Sequence, residues 1–116
     1  MHGFDGDISE RYGDRTALAT DNSIYQILPQ LVVFPRTRQD LVRITRLASN
    51  PRFHALRLFA RGGGTGTNGQ SLGDGVVVDL SRHMNRILEI NVEERWARVE
   101  AGVVKDQLEA ALVPHG

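Results

Sequence analysis

The pattern of apolar and polar positions predicts three short strands in the first two thirds of the chain. Leu31–Phe34 is an apolar run closed by Pro35, which cannot continue a sheet ladder. Residues 55–60 and 75–81 have the same apolar character, and we expect both to be strands. The second and third strands border a glycine-rich segment, residues 61–75, which we call the glycine loop.

Between the first two strands the apolar positions change to the spacing of a helix. Thr37 is a suitable N-cap, and Asp40 stands where a capping box needs an acceptor. The apolar positions that follow recur at helical spacing until Asn50 and Pro51 end the run. We therefore expect a helix with one face in the core. Its arginines are expected on the solvated face: Arg38, Arg43 and Arg46.

The last third of the chain predicts a hairpin and a helix. Residues 87–92 and 96–103 alternate apolar and polar positions across a short polar connection, as in a β-hairpin. Trp96 is expected to pack at a sheet face rather than to stack on a nucleic acid base. Lys105–Leu112 predicts a helix, which Pro114 ends. Because residues 1–23 are expected to be loop and irregular helix, the elements together predict an α+β fold, a small sheet with flanking helices.

Composition narrows the possible functions. The chain has 116 residues, of which 41% are hydrophobic, enough for one domain core. Its 14 basic and 14 acidic residues balance, so bulk charge predicts no capture of nucleic acid or of an anionic membrane. The absence of cysteine excludes disulfides and thiolate metal sites within the chain. No apolar run approaches a membrane span and the N-terminus is too polar for a signal peptide, so we expect a cytoplasmic protein.

The glycine loop formally contains the dinucleotide fingerprint GxGxxG at residues 64–69. In hydride-transfer proteins of the usual type, the third glycine opens a helix whose N-terminus faces the pyrophosphate. Here the chain enters the next apolar run at Gly75, which leaves no room for such a helix. A Walker-type loop is excluded as well, because no Lys-Ser or Lys-Thr pair follows the glycines.

Two interpretations of the glycine loop remain. Successive main-chain amides, freed by residues that can take positive φ, form a concave nest for phosphate oxygens. Thr65, Thr67 and Asn68 could add hydrogen bonds, and Arg61 could add charge. The other interpretation is a glycine-rich connection without a ligand, which is common at protein surfaces.

The residues also resemble a known family. RGGGTGTNGQ followed by GVVVDLSRHMNRILEIN and VEAGV looks like the first half of the flavin-binding domain of the vanillyl-alcohol oxidase and p-cresol methylhydroxylase group. Within that group the chain is most similar to bacterial FAD-linked oxidases of D-2-hydroxy acids, among them D-2-hydroxyglutarate and D-lactate dehydrogenases. The resemblance extends from about Asp21 to the end of the chain.

The resemblance implies a set of FAD-binding residues. Residues 61–70 of the glycine loop fall on the family's pyrophosphate loop. Pro35 matches the residue beside the adenosine end, and Ser81 is a weaker assignment. Gly102 and Val103 match the point where the next strand end approaches the cofactor, whereas Asp79 is expected only to cap local backbone. The implied loop contacts are Arg61, Gly62, Gly63, Gly64, Thr65, Gly66, Thr67, Asn68, Gly69 and Gln70.

Thr65 is a departure from the family pattern. It stands where many members carry the histidine that attaches FAD covalently, so we expect a non-covalent flavin. The four histidines of this chain lie outside the loop and lack metal-ligand spacing. They are expected to be structural or exposed, and no metal site is expected: His2, His54, His83 and His115.

The resemblance also implies that the chain is a fragment. Residues 1–22 are expected to be a polar opening segment, and residues 23–116 the first half of the FAD-binding domain, truncated at its C-terminus. The family's catalytic histidines and arginines come late in the sequence, so no catalytic residue is expected here and the chain alone should be inactive. The resemblance further implies an iron–sulfur cluster in the missing C-terminal part, and an electron acceptor that the resemblance does not name.

Two functions of different class follow. In the first, the chain holds the FAD pyrophosphate of a flavin-dependent oxidoreductase that oxidises a small D-2-hydroxy acid. In the second, it is a non-redox module whose nest binds another nucleotide or a phosphorylated partner.

Overall fold

Three of the four strands in the larger sheet are parallel. The computed structural model describes residues 3–53 and 55–116. The sheet has the order β1-β2-β4-β3, with β1 antiparallel to β2 and the other neighbours parallel. Its strands are β1 (Asp7–Ser9), β2 (Leu31–Phe34), β3 (Leu58–Arg61) and β4 (Val76–Asp79).

A hairpin and three helices complete the described structure. The hairpin forms a separate two-stranded antiparallel sheet. None of the helices in residues 3–53 and 55–116 is long and apolar enough to cross a membrane. The hairpin strands are β5 (Ile87–Asn91) and β6 (Trp96–Val99), and the helices are α1 (Tyr12–Ala17), α2 (Arg38–Ala48) and α3 (Lys105–Leu112). Single 3-10 turns follow two of these helices, at Pro51–Phe53 and Val113–His115.

The core lies where α2 covers the larger sheet. Val33, Val76 and Val78 share one face of the sheet and pack with Ile44 of α2. Val32 and Val77 alternate with them, so they point to the opposite face, and neither is exposed at all. Burial on both faces explains why β4 is a continuous valine run rather than an alternating strand.

The N-terminus of α2 is held by the fully buried carboxylate of Asp40. The predicted capping box is confirmed, because the Thr37 hydroxyl accepts from the Asp40 amide at 3.2 Å and Asp40 accepts from the Thr37 amide at 3.3 Å. Asp40 also accepts from the amides of Arg36 and Asp5, both at 2.9 Å. Burial raises the pKa of the Asp40 carboxyl, but these amide donors prevail and hold that pKa below its ordinary value of 3.8.

The prediction for residues 1–23 was wrong in part. α1 is a helix of six residues, but Asp7–Ser9 is a strand that pairs with β2. Three residues are too few to show a period, and β1 depends on contacts distant in sequence. One of these is the 2.7 Å contact of Asp7 Oδ2 with His83 Nε2, whose hydrogen bond lowers the pKa of Asp7.

Several predicted boundaries also shift. The strand expected at residues 55–60 begins only at Leu58, and the strand expected at residues 75–81 ends at Asp79. The second hairpin strand ends at Val99 rather than continuing to Val103. The strand expected at residues 75–81 ends at Asp79 because the Asp79 carboxylate accepts from the amides of Ser81 and Arg82, which form a turn.

The predicted solvated face of α2 is confirmed for two of its three arginines. Arg38 and Arg46 are exposed. Arg43 is half-buried, because its guanidinium lies 3.9 Å from Asp40 and donates to the carbonyl of Gly3.

We expect Asp40→Ala to lower the free energy of unfolding of the chain by about 2–4 kcal/mol, because several buried amides would lose a charged acceptor at once. Asp106→Ala is the matched control, since Asp106 occupies the first turn of α3 but is exposed. Urea unfolding followed by circular dichroism measures both variants. Equal stabilities for the two variants would contradict the assigned role of Asp40.

The pH dependence of the same pair gives a second readout. Because the fold lowers the pKa of Asp40 below 3.8, its contribution is complete above that pH and is lost as the pH falls through the folded pKa. The gap between wild type and Asp40→Ala should therefore narrow in acid.

Candidate diphosphate site

The carboxyl ends of the three parallel strands meet at one edge of the sheet. In the strand register Arg61 pairs with Asp79, and Val33 pairs with Val78, so β2, β3 and β4 end side by side. Pro35, the glycine loop and Ser81 follow these ends directly. In open sheets with parallel strands, ligands bind outside the carboxyl ends. The fold thus brings three of the sequence-predicted regions to the edge where a ligand is expected.

Arg61 supports the glycine loop from below. Arg61 is only 8% exposed, and its Nη1 donates to the carbonyl of Leu18 at 3.4 Å. Gly64 lies over the guanidinium with φ +68°, in the left-handed region, and a Cβ built at Gly64 would lie 2.2 Å from Nη2 of Arg61. Arg61 is therefore a buried support for the loop rather than an exposed charge.

The loop exposes main-chain amides at its start. Within residues 3–53 and 55–116, the amides of Gly63, Gly64 and Thr65 have no hydrogen-bond acceptor. Farther along, the Asn68 amide is already bound, since it donates to the Gln70 side chain at 3.0 Å. The first turn of the loop therefore has consecutive amides that can donate to an anion.

Two cavities border this edge of the sheet. One of about 400 Å³ lies between the start of the glycine loop and the N-terminus of α3. A second of about 280 Å³ lies over the ends of β2 and β4. The first is lined by Gly63, Thr65, Val103, Val104, Lys105 and Asp106. The second is lined by Asp14, Ala17, Leu18, Phe34, Asp79, Ser81 and Arg82. The first cavity brings Val103 to the start of the glycine loop.

The remaining sequence-predicted residues have clear structural contacts. Pro35 is fully buried. Gly102 is buried, its amide donates to the carbonyl of Met84 at 2.8 Å, and a Cβ there would lie 2.0 Å from the carbonyl oxygen of Leu80. The Ser81 hydroxyl donates to Asp79 at 2.7 Å. Asp79 also accepts from the Ser81 amide at 2.8 Å, which confirms that it caps local backbone.

Sequence reasoning missed a segment that contacts the glycine loop. Asn22 donates from its amide to the carbonyl of Gly66 at 3.0 Å and from Nδ2 to the carbonyl of Thr65 at 3.3 Å. Asp21 lies beside it, and its hydrogen bond with Ser23, together with the charge of Arg61, lowers the pKa of Asp21. The turn-forming residues from Asp21 to Ser23 and the start of the family resemblance at Asp21 marked this segment, but neither says which part of the chain it contacts.

His83, His115 and Trp96 fall outside this site. His83 makes the structural contact with Asp7, whereas His2 and His54 lie outside the described residues. His115 borders a groove of about 390 Å³ between the hairpin and α3, which Trp96 also lines. No group of three metal-ligating side chains occurs in the part of the chain that the structure describes.

A family comparison agrees with this geometry. The family model described as the FAD binding domain matches residues 29–116. The chain belongs to this family of FAD-binding domains. The predicted α+β class and the family resemblance are both confirmed, since the structure is a mixed sheet with flanking helices.

Curated relatives extend the comparison over almost the whole chain. It is 68% identical to D-2-hydroxyglutarate dehydrogenase of Pseudomonas putida over 98% of its length, and 60% identical to the Escherichia coli K12 protein of the same name over its full length. It is 37% identical to glycolate oxidase subunit GlcD of Bacillus subtilis over 69% of its length. The chain spans about 11% of the two dehydrogenases and 17% of the GlcD subunit.

Solved structures share the fold. The chain superposes on 6-hydroxy-D-nicotine oxidase of Arthrobacter nicotinovorans with a TM-score of 0.80 and 25% identity, covering 98% of this chain and 25% of that one. It superposes on an alkyldihydroxyacetonephosphate synthase with a TM-score of 0.76 and 21% identity, covering 94% of this chain and 22% of that one.

The residues at the edge of the sheet fit a diphosphate. The unpaired amides of Gly63, Gly64 and Thr65 are donors without side-chain charge, as in a nest. The cavity beside them, at about 400 Å³, falls within the range of cofactor sites. FAD contains a diphosphate. The donor set, the size of the cavity and the family match therefore all agree with FAD as the ligand.

We expect Gly64→Ala to weaken FAD binding by the full-length protein at least tenfold, because a side chain at this φ costs about 1–2 kcal/mol and would also collide with Arg61. Gly66→Ala should be milder, since its Cβ would meet only the end of the flexible Gln70 side chain. Gly13→Ala is the control, with nothing within 4 Å of the added carbon. Fluorescence titration with FAD gives the affinities. Wild-type affinity in Gly64→Ala would exclude the loop as the diphosphate site.

Proposed function

We propose that this chain holds the diphosphate of FAD in a longer flavin-dependent dehydrogenase that oxidises a D-2-hydroxy acid. The observation that carries the proposal is the set of unpaired amides at the start of the glycine loop, at the carboxyl ends of parallel strands. Identities of 68% and 60% to two D-2-hydroxyglutarate dehydrogenases support D-2-hydroxyglutarate as the substrate.

The residues of this chain bind and position the cofactor. The amides of Gly63, Gly64 and Thr65 donate to diphosphate oxygens, Val103 forms the opposite wall, and Arg61 supports the loop from its buried side. Bound FAD supplies the two-electron acceptor for oxidation of a secondary alcohol to a ketone. The groups that orient the substrate carboxylate and take the hydroxyl proton belong to the rest of the longer protein. An iron–sulfur cluster and the site of the electron acceptor also belong there, and we place the enzyme in the cytoplasm.

A non-redox nucleotide- or phosphate-binding module is the alternative. The same amides could bind the phosphates of another nucleotide, since a nest recognises oxygens rather than the attached base. The match to the FAD binding domain over residues 29–116 favours the flavoenzyme.

We expect the purified full-length protein to be yellow and to lose its flavin absorbance when D-2-hydroxyglutarate is added without an acceptor. The L enantiomer is the matched control and should leave the absorbance unchanged. A colourless protein that takes up no FAD would favour the alternative module. If the protein contains flavin but neither enantiomer bleaches it, the proposed substrate is wrong and the proposed cofactor stands.

The flavin should be released when the full-length protein is denatured. Thr65 is exposed and stands at the position where the resemblance implies a histidine tether, and a threonine hydroxyl is a poor nucleophile without an adjacent base. Acid precipitation should leave FAD in the supernatant, and a denaturing gel should show no fluorescent protein band. Flavin that stays with the band would mean a covalent tether.

A further inference from the structure

The segment before β2 holds the glycine loop by its carbonyl groups. Residues 18–25, which we call the clasp, precede the part of the chain that the family model matches. Asn22 donates to the carbonyls of Gly66 and Thr65 at 3.0 and 3.3 Å, and the carbonyl of Leu18 accepts from Arg61 at 3.4 Å. The clasp therefore contacts the glycine loop at both the exposed turn and its buried support.

The clasp is itself fixed by local hydrogen bonds. Asp21 accepts from the Ser23 amide at 2.7 Å, and the Ser23 hydroxyl accepts from the Tyr25 amide at 3.1 Å. An antiparallel bridge between Thr20 and Gln26 closes the segment. These turns fix the main chain at Asn22. Its two donors therefore bind the glycine loop with only a small further loss of conformational entropy.

The contacts with the loop carbonyls determine which way the neighbouring N–H groups point. In a trans peptide the C=O of one residue and the N–H of the next point in opposite directions. Asn22 binds the carbonyls of Thr65 and Gly66, so the N–H groups of Gly66 and Thr67 point away from the clasp. Neither N–H donates to an acceptor in residues 3–53 and 55–116. The Gly66 carbonyl is bound by the main-chain amide of Asn22, whereas the Thr65 carbonyl is bound by the Asn22 side chain. Without that side chain the Thr65–Gly66 peptide plane could rotate, because Gly66 carries no side chain to restrict it.

We propose that the side chain of Asn22 positions the glycine loop for the diphosphate: it holds the Thr65 carbonyl, so that the Gly66 amide turns toward the diphosphate and extends the donor set of Gly63 to Thr65. The inference rests on the proposed function, because it takes FAD as the ligand. Asn22 touches the loop carbonyls and acts on the ligand only through them.

The test uses the full-length protein with Asn22→Leu, which removes the side-chain donor at a similar size, and Asn22→Ala, which removes it without adding bulk or charge. Asn91→Ala is the matched control, because it removes a side-chain hydrogen bond at the hairpin turn, where Asn91 accepts from the Glu94 amide at 2.9 Å. Three quantities are measured in each: FAD affinity by fluorescence, the affinities of ADP and riboflavin as competitors, and the unfolding temperature without flavin.

Both Asn22 variants should weaken FAD and ADP by about tenfold, the upper end for one lost hydrogen bond. Riboflavin, which has no diphosphate, should compete as in wild type, and the unfolding temperature should match the Asn91→Ala control. Unchanged FAD affinity in both Asn22 variants overturns the inference, as does an equal loss for ADP and riboflavin. A wild-type protein that binds no FAD overturns the proposed function and this inference together. If Asn22→Leu does not fold, the smaller and uncharged Asn22→Ala carries the comparison alone.

Discussion

Parallel pairing of β3 with β4 is the constraint on which the site depends. The chain leaves β3 at the carboxyl edge of the sheet and must enter β4 at the opposite edge, so the glycine loop is a crossover. Such crossovers usually contain a helix. Here the second part of the loop runs back against the sheet instead, since Ser71, Leu72 and Gly73 are buried. A Cβ at Gly73 would lie 2.1 Å from the Phe59 ring, which shows how closely this return path packs.

The crossover divides the glycine loop into two parts with different physical roles. Its return path is packed, whereas its first turn remains at the carboxyl edge, where Gly63 and Thr65 are exposed. A helix at this place would have used most of its amides within itself, leaving only those of its first turn for a ligand. A crossover without a helix frees consecutive amides, and Arg61 and the clasp then hold them from behind. Asp40 stabilises the same carboxyl edge of the sheet, because it fixes the turn from β2 into α2 and connects that turn to the segment before β1.

Local sequence signals predicted most of the elements and little of their arrangement. The capping box at Thr37, the hairpin and α3 follow from patterns within a few residues, and each is present in the structure. β1 could not be predicted, because its three residues become a strand only by pairing with β2. The glycine loop was recognised from its composition and from the family resemblance. Its contacts with Asn22 were not, since residues 22 and 66 are far apart in the sequence and are brought together only by the tertiary fold.

The basic side chains near the site are either buried or paired with a carboxylate, so main-chain amides are its main donors. Arg61 is buried beneath the loop, and Lys105, the lysine at the neighbouring cavity, lies 3.4 Å from Glu109. An exposed ion pair of this kind contributes little to stability and leaves Lys105 partly neutralised as a partner for an anion. A diphosphate at this edge would therefore be met mainly by amide dipoles, with Arg61 as a more distant buried charge. Dipoles act only at short range and in the right direction, so binding would depend on how the peptide planes are held, which is the role that the clasp performs.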